Sequence, residues 1–414
     1  MHQNNLKCRH CAAALSVIFA DLGATPVSND YIPLSRRYDA EPYYPLRAYV
    51  CEKCRLVQLE DYRRATELFR EDYAYFSSVS SSWVDHAHRY ADAMEGRFKL
   101  DPLSNVVEIA SNDGYLLQFF KAKGINVLGI EPSRSVAEYA IEKKDIPSLV
   151  EFFGRAVGAR LNGEGKAADL MAANNVLAHV PDVNDFVQGF RELLKPQGVA
   201  TFEFPHLLNL IKFNQFDTIY HEHFSYLSLL AADRIFKANG LRVFDVEQIP
   251  THGGSLRLFV CRDAAAWLTS VRVEGLLAIE KEAGLDDNKI YQAFAEQVRE
   301  TKRALLSLLI ELKRAGKTVV GYGAPAKGNT LLNYCGIGAD MLEFTVDLSK
   351  KKQGMFLPGT RLPIKSPEAI DAVKPDYVLI LPWNIKEEIM VQMARIRGWG
   401  GKFIVPIPFA EILD

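Results

Sequence analysis

Residues 105–114 decide the fold of this chain, and they read Asn-Val-Val-Glu-Ile-Ala-Ser-Asn-Asp-Gly. An apolar strand pattern leads into a short polar turn that ends in glycine, and a helical pattern follows over 115–123. The next strand pattern, 126–131, ends in the acidic residue Glu131. In adenosine-cofactor sites the backbone approaches the ligand at such a turn, and an acid at this position accepts hydrogen bonds from the ribose. The stretch therefore predicts a nucleotide-cofactor sheet with Glu131 at the ribose.

The end of this sheet separates two kinds of nucleotide fold. Further strand patterns lie at 148–153, 168–176, 198–204, 242–249 and 255–262, with a helical pattern at 183–194. Only residues 250–254 separate the last two strands, and so short a turn permits only an antiparallel pair. An antiparallel last strand on an otherwise parallel sheet is typical of class I methyltransferases, and the first turn has the single glycine Gly114 in place of G-x-G-x-x-G. Both features favour S-adenosylmethionine over NAD.

Four cysteines near the N-terminus form two Cys-x-x-Cys pairs, Cys8 with Cys11 and Cys51 with Cys54. Two such turns, with strand patterns at 47–50 and 56–59 around the second, predict a zinc ribbon in which four thiolates close a tetrahedral shell. The alternatives are disulfides, which a reducing compartment disfavours, and coincidence. We expect a structural zinc ion.

A third unit follows a long amphipathic helical pattern at 287–315. Its strand at 317–321 leads into a glycine-rich turn at a helix N-terminus, where Lys327 adds positive charge and phosphate could bind. The alternative is that these glycines only allow a tight strand-to-helix turn. Asp347, which ends the next strand at 342–346, imitates an NAD ribose acid, but the incomplete glycine signature disfavours NAD there.

Length and charge limit the classes of protein. A chain of 414 residues predicts two or three domains, which we place at 1–72, 73–285 and 286–414. The net charge of −2 argues against nucleic-acid binding. The sequence contains no run of about 18 apolar residues, so we expect no membrane-spanning helix. The first residues show no signal-peptide pattern, so we expect a cytoplasmic protein.

The segment Tyr220-His221-Glu222-His223 concentrates groups that exchange protons near neutrality. It is not a zincin helix, because the His-Glu-x-x-His spacing is absent. Either it performs proton transfer beside the cofactor, or it is a polar loop whose groups hydrogen-bond each other.

Together these motifs resemble the sugar C-methyltransferases that act on nucleotide-activated keto-deoxysugars. The matching segments are the cysteine pairs, residues 108–114, 178–182, 220–223 and 321–329, in the family's order. The resemblance implies an α/β fold in which a small zinc-binding domain precedes a class I methyltransferase Rossmann-like sheet and a second Rossmann-like domain follows. It implies methyl transfer from S-adenosylmethionine to a ring carbon next to a ketone. O-methylation, or an NAD-dependent nucleotide-sugar oxidoreductase or epimerase, is the alternative.

The resemblance also nominates site residues. His223 matches the family's base, and Glu222 and Tyr220 match the neighbours that orient this base or contact the substrate. His179 matches a second active-site histidine. Tyr75, or Tyr73 in another register, matches a tyrosine that reaches the site from the segment between the first two domains. Residues implied to hold S-adenosylmethionine are Glu108, Ala110, Asn112, Gly114, Glu131, Phe152 or Phe153, and Asn174 or Asn175. Residues implied to hold the sugar nucleotide, with thymidine diphosphate as the family's pattern, are Gly323, Lys327, Asn329, His252 and Arg257. We expect a monomer.

Overall fold

The computed structural model describes residues 6–62 and 76–414, and within them the strands form three sheets. The strands are β1 (Val17–Thr25), β2 (Tyr44–Val50), β3 (Val57–Leu59), β4 (Asn105–Ile109), β5 (Asn126–Ile130), β6 (Ser148–Leu149), β7 (Ala168–Asn174), β8 (Leu194–Pro205), β9 (Ser225–Tyr226), β10 (Leu241–Ile249), β11 (Ser255–Arg262), β12 (Val319–Tyr322), β13 (Thr345–Val346), β14 (Ile364–Lys365), β15 (Tyr377–Ile380), β16 (Lys402–Val405) and β17 (Glu411–Leu413). The helices are α1 (Ser81–Phe98), α2 (Leu117–Ala122), α3 (Arg134–Lys144), α4 (Arg155–Gly163), α5 (Val183–Leu193), α6 (Leu207–Lys212), α7 (Leu229–Ala238), α8 (Val271–Glu282), α9 (Asn288–Arg314), α10 (Ala326–Cys335), α11 (Glu368–Val373) and α12 (Lys386–Gln392).

The central sheet has the order β10-β11-β8-β7-β4-β5-β6. Strands β4 to β8 are parallel to one another, whereas β11 runs antiparallel to both β8 and β10. The short turn before Ser255 thus forms the predicted hairpin, and the predicted class I methyltransferase sheet is confirmed. Parallel strands bring their carboxyl ends to one edge, which is where ligands bind in open α/β sheets.

One strand of this sheet is shorter than predicted. The pattern at 148–153 indicated a full strand, yet β6 contains only Ser148 and Leu149. The chain then leaves the sheet, and Phe153 packs edge-on against the rings of Phe186 and Phe190, at 5.8 and 5.2 Å, in α5. Packing of this half-buried ring against the helix takes the place of an edge-strand pairing.

The N-terminal sheet is antiparallel, with the order β1-β2-β3-β9. Strand β9 lies far along the chain from the other three, and it pairs Tyr226 with Val57 and Ser225 with Gln58 of β3. The exit of the Tyr220–His223 loop is therefore part of the sheet that carries the paired cysteines.

The C-terminal sheet has the order β14-β13-β12-β15-β16-β17, parallel except for β17. Its core is continuous with that of the N-terminal sheet. Phe19 of β1 stacks on Phe294 of α9 with 4.5 Å between the ring centres. Tyr291 of α9 packs edge-on against the Phe19 ring. In the described parts of the chain, we find no helix with the length and hydropathy needed to cross a membrane.

Candidate functional site

A cavity of about 2310 Å³ opens at the carboxyl edge of the central sheet, and its walls include side chains from the N-terminal, central and C-terminal parts of the chain. It is larger than the ~300–1,000 Å³ typical of a pocket for one small ligand. The predicted site residues that line it are Ala110, Asn112, Glu131, Phe152, Phe153, Asn174, Asn175, His179, Tyr220, Glu222, His223, His252, Arg257 and Lys327. The structure therefore brings most of the predicted cofactor and substrate residues to one cavity.

Four nominated residues do not line this cavity. Glu108 is buried inside β4, where burial raises the pKa of its carboxyl group well above the usual range. Gly114 adopts a φ of +71°, and a β-carbon there would meet the side chain of Ile146 at 3.0 Å, so glycine allows the turn to pack closely against Ile146. Gly323 and Asn329 are the other two. Tyr75 and its alternative Tyr73 lie outside the described residues.

Gly323 and Asn329 hold elements together behind the cavity wall. A β-carbon on Gly323, at a φ of +89°, would lie 2.6 Å from the Pro382 ring, so only glycine fits this close approach. Asn329 is 1% exposed, and its Nδ2 donates to the carbonyl of Ser28 at 2.6 Å. These residues favour the alternative in which the glycine-rich segment allows tight packing.

The turn after β4 is fixed from two sides. Glu131 accepts hydrogen bonds from the backbone N–H groups of Asn112 at 3.0 Å and Ser133 at 2.8 Å, and burial raises the pKa of its carboxyl group. From the other side, Ser77 N–H donates to Asn112 Oδ1 at 2.9 Å and Ser78 N–H to Asp113 Oδ2 at 3.2 Å. The short helix at Ser77–Val79 therefore covers the turn, which no sequence motif indicated.

The nominated alternatives for the cofactor differ in exposure and partners. Phe152 is 46% exposed on the cavity wall, whereas Phe153 also lines the cavity but is half-buried and packs against the rings of Phe186 and Phe190. Asn175 Nδ2 lies 3.3 Å from His252 Nε2. In the described part of the chain, the buried Oδ1 atoms of Asn174 and Asn175 both have no hydrogen-bond partner. An unpaired polar atom on a cavity wall fits a bound polar ligand such as S-adenosylmethionine.

The hydrogen bonds of His223 determine its tautomer. Nδ1 lies 2.9 Å from the carbonyl oxygen of Thr218, which can only accept, so this nitrogen carries the proton. Nε2 lies 2.7 Å from the Tyr220 hydroxyl and accepts its hydrogen bond. Burial, with His179 adding a smaller effect, lowers the pKa of His223 well below its usual value. The imidazole is therefore neutral and presents its lone pair to Tyr220.

His179 lies beside this pair. Its ring meets the His223 ring at 4.6 Å in an edge-on arrangement, and its Nδ1 donates to the carbonyl of Glu222 at 2.6 Å. Burial lowers the pKa of His179 to about 4. The neutral tautomer thus carries its lone pair on Nε2 and acts as an acceptor there.

Glu222 does not orient His223 through its side chain. Its Oε1 accepts a hydrogen bond from Asn29 Nδ2 at 3.1 Å, and burial raises the pKa of its carboxyl group to about 7. Within residues 6–62 and 76–414, Oε2 is buried without a partner. The N-terminal part of the chain therefore contributes Asn29 to the site, and nothing in the sequence around Asn29 indicated this.

The C-terminal part contributes a cation. Lys327 Nζ donates to Asn384 Oδ1 at 2.7 Å and lies 4.7 Å from the centre of the Trp383 ring. The Trp383 indole N–H donates in turn to the buried carboxylate of Asp217 at 2.7 Å. Burial lowers the pKa of Lys327 and raises that of Asp217 to about 7. Lys327 was predicted from sequence, whereas its supporting residues were not.

Arg257 belongs to a buried charge network. It donates to Glu203 Oε2 at 3.1 Å and to Glu247 Oε2 at 3.3 Å. His86 Nε2 lies 3.1 Å from both carboxylate oxygens of Glu203. Because its charge is compensated by two carboxylates, Arg257 stabilises this wall of the cavity and offers less to an anionic ligand than a free guanidinium would.

The four paired cysteines cluster as predicted. The sulfur atoms of Cys8, Cys11, Cys51 and Cys54 all lie within 4.8 Å of one another. A tetrahedral zinc ion with Zn–S bonds of about 2.3 Å separates its sulfurs by roughly 3.8 Å, so this arrangement fits zinc. Gln58 Nε2 donates to Cys8 Sγ at 3.2 Å. A hydrogen bond of this kind, from a residue that is not itself a zinc ligand, stabilises Cys8 as a thiolate.

Three families match successive parts of the chain. The family described as "Putative zinc binding domain" matches residues 8–69, the family described as a methyltransferase domain matches residues 81–246, and the C-methyltransferase C-terminal domain matches residues 250–408. These matches support the zinc assignment of the cysteine cluster and the S-adenosylmethionine assignment of the central sheet.

The chain is also similar to characterised and solved proteins. It is 35% identical to the C-methyltransferase NovU of Streptomyces niveus over 408 residues, which are 99% of this chain and 97% of that protein. Among solved structures, magnesium protoporphyrin IX methyltransferase (ChlM) from Synechocystis PCC 6803 with bound SAH is 15% identical, with a TM-score of 0.35 over 44% of this chain and 83% of that one. The PH0226 protein from Pyrococcus horikoshii OT3 is 14% identical, with a TM-score of 0.37 over 48% of this chain and 99% of that one. By its full-length relative and its three family matches, this chain belongs to the S-adenosylmethionine-dependent C-methyltransferases.

Proposed function

We propose that this C-methyltransferase acts on a nucleotide-activated 4-keto-deoxysugar and methylates the ring carbon next to the ketone. One observation carries the proposal: a neutral imidazole, His223, accepts a hydrogen bond from Tyr220 on the wall of a cavity large enough for two ligands. Removing a proton from carbon needs a base whose lone pair reaches the substrate, and the neutral imidazole of His223 supplies one through the Tyr220 hydroxyl.

In the proposed step the carbon–hydrogen bond breaks and its proton passes to the Tyr220 oxygen, while the Tyr220 proton passes to His223 Nε2. The Thr218 carbonyl holds Nδ1–H and stabilises the resulting imidazolium. The electron pair moves into the enolate. A base with a lowered pKa leaves this transfer uphill, so a group that stabilises the enolate oxygen is required.

We propose that Lys327 stabilises the enolate oxygen. His179 is unsuited to that role, because its proton is already donated to the Glu222 carbonyl and its other nitrogen only accepts. The Lys327 ammonium has three donors, of which Asn384 takes one. His179 is instead suited to accept a hydrogen bond from a hydroxyl group of the sugar.

The cofactor would lie against the turn after β4. Glu131 would accept from the ribose, Phe152 would cover the adenine, and Asn175 Oδ1 would gain the donor that it lacks in the described structure. S-adenosylmethionine, when bound, supplies an electrophilic methyl group.

Methyl transfer to a panel of sugars tests the substrate class. We expect ¹³C-methyl-labelled S-adenosylmethionine to label a ring carbon of 4-keto nucleotide sugars, including a thymidine diphosphate sugar, with the new carbon–carbon bond identified by NMR. The matched control is the same sugar with its ketone reduced, which has no acidified carbon and should remain unlabelled. Label on a hydroxyl oxygen, or on no keto sugar of the panel, would overturn the proposal.

A further inference from the structure

We infer that Arg9, which lies between the first two cysteines, is a positioning residue that ties the zinc site to the two loops carrying His179 and His223. This inference rests on the proposed roles of these histidines. It gives the zinc site a second effect besides folding stability, because the geometry of the acceptor side of the cavity then depends on it.

The Arg9 side chain is buried although it belongs to a surface zinc knuckle. Only 7% of it is exposed, and its guanidinium makes contacts in three directions. NH1 donates to the carbonyl of Pro181 at 2.7 Å, and NH2 donates to the carbonyl of Leu59 at 2.8 Å. The guanidinium carbon lies 5.3 Å from the centre of the Phe224 ring.

These contacts are immediate neighbours of the candidate catalytic residues. Pro181 follows the short helix Leu177–His179 by two residues, and Phe224 directly follows His223. The two loops meet each other where His179 Nδ1 donates to the Glu222 carbonyl. Arg9 thus contacts a neighbour of each histidine, although it does not itself line the cavity, and it fixes the separation of the two loops.

The backbone of the first zinc knuckle is fixed to the same elements. Arg9 N–H donates to Gln58 Oε1 at 2.8 Å, and Gln58 lies opposite Ser225 in the β3–β9 pairing. Asn184, at the start of α5, donates to the His10 carbonyl at 2.8 Å. Since Cys8 and Cys11 bracket Arg9, the metal shell determines where its guanidinium lies.

A planar guanidinium suits this position because it donates along two fixed directions while it lies over an aromatic ring. A lysine ammonium offers a single point charge and cannot reproduce both bonds, so Arg9→Lys is not conservative here. The contact with Asp61 is different, because that carboxylate is 53% exposed and removing it leaves the Pro181 and Leu59 bonds in place.

The test uses full-length zinc-loaded protein and the imidazole NMR signals of His179 and His223, assigned with His179→Gln and His223→Gln. In Arg9→Met we expect both signals to shift, methyl transfer to fall on the order of 10²-fold, and zinc content and S-adenosylmethionine affinity to stay at parent values. Asp61→Asn is the matched control and should behave as the parent in all four measurements.

Unshifted signals together with parent turnover in zinc-loaded Arg9→Met would overturn the inference. If Arg9→Met does not fold or loses zinc, Arg9→Lys decides by the same criteria, with a smaller expected loss. If the parent methylates no keto sugar, the proposed function fails, and the imidazole signals alone still decide whether Arg9 positions the two loops.

Discussion

At the scale of single residues, the proton positions on His223 determine what it can do. Nδ1 is committed to the Thr218 carbonyl, so proton uptake occurs at Nε2, which accepts a hydrogen bond from the Tyr220 hydroxyl. We predict that His223→Ala abolishes both product and solvent deuterium exchange at the reacting carbon, while S-adenosylmethionine affinity is retained. Tyr220→Phe should slow exchange by a smaller factor, because it removes the relay and leaves the base.

His221→Gln is the matched control for this pair. His221 belongs to the same loop, but its Nε2 contacts the Pro45 carbonyl and its side chain does not line the cavity. Exchange should continue in this variant. Exchange that persists in His223→Ala would show that another group is the base.

We predict that Glu222 makes the free energy of unfolding depend on pH. Its folded pKa is raised from an ordinary value near 4.5 to about 7, so the folded state holds the proton more tightly than the unfolded state does. The stabilisation from this residue is complete below pH 4.5 and is lost as the pH rises through 7, by about 3 kcal/mol.

Glu222→Gln cannot ionise and keeps an acceptor for Asn29. It should therefore unfold like the parent at pH 4.5 and be more stable than the parent at pH 8, by up to about 3 kcal/mol in urea titrations. An equal stability difference at both pH values would contradict the assignment of the raised pKa to this carboxyl group.

At the scale of elements, the turn Phe216–Thr218 links the candidate base to the C-terminal part of the chain. Thr218 holds His223, while Asp217 accepts from the Trp383 indole. We predict that Trp383→Phe costs about 1–3 kcal/mol of stability and lowers kcat more than it changes the KM for S-adenosylmethionine, because Asp217 loses its donor. Urea unfolding and steady-state kinetics measure the two effects.

Two variants make this prediction sharper. Asp217→Asn keeps an oxygen acceptor for the indole and should be milder than Trp383→Phe. Trp399→Phe removes another indole bond, to the Pro375 carbonyl, away from the turn, so it should affect stability and leave kcat unchanged. If Asp217→Asn is as damaging as Trp383→Phe, the charge of Asp217 matters more than its hydrogen bond.

Elements held by local patterns could be predicted from sequence, and elements held by distant partners could not. The strand before Ser111 and the terminal hairpin follow from apolar runs and a short turn. Strand β9 has only two residues, and it pairs with β3, which lies far away in the sequence, through Val57 with Tyr226 and Gln58 with Ser225. No local signal encodes such a pairing.

The candidate site divides in the same way. Side chains at the ends of predicted strands, such as Glu131 and Asn175, lie on the cavity wall. Gly114 belongs to the expected motif, yet it lies against Ile146 and does not line the cavity. A sequence motif gives the position of a residue but not the direction in which it faces. Asn29 reaches the site only through folding of the N-terminal part onto the Glu222 loop.

At the scale of the whole molecule, the N-terminal and C-terminal sheets share one apolar core. We predict that these two parts unfold in one transition together with zinc release. Phe294→Ala removes a fully buried ring that stacks on Phe19, which should cost about 3–5 kcal/mol and lower the temperature of both events equally.

Calorimetry and a colorimetric zinc-release assay on the same samples check this prediction. Val391→Ala, on a side chain that is 77% exposed in α12, is the control and should change stability by less than about 0.5 kcal/mol. Zinc release at the parent temperature in Phe294→Ala would show that the cysteine-bearing sheet unfolds on its own.

The stack of Phe19 on Phe294 limits how this enzyme can be recombined with its relatives. A chimera that exchanges the C-terminal half to change the acceptor would join α9 from one parent to β1 from another, and mismatched rings would leave a void or a clash between them. A productive crossover has to transfer β1 and α9 together. The range of acceptor substrates that such hybrids can use is therefore limited by the packing of β1 against α9, which is remote from the acceptor itself.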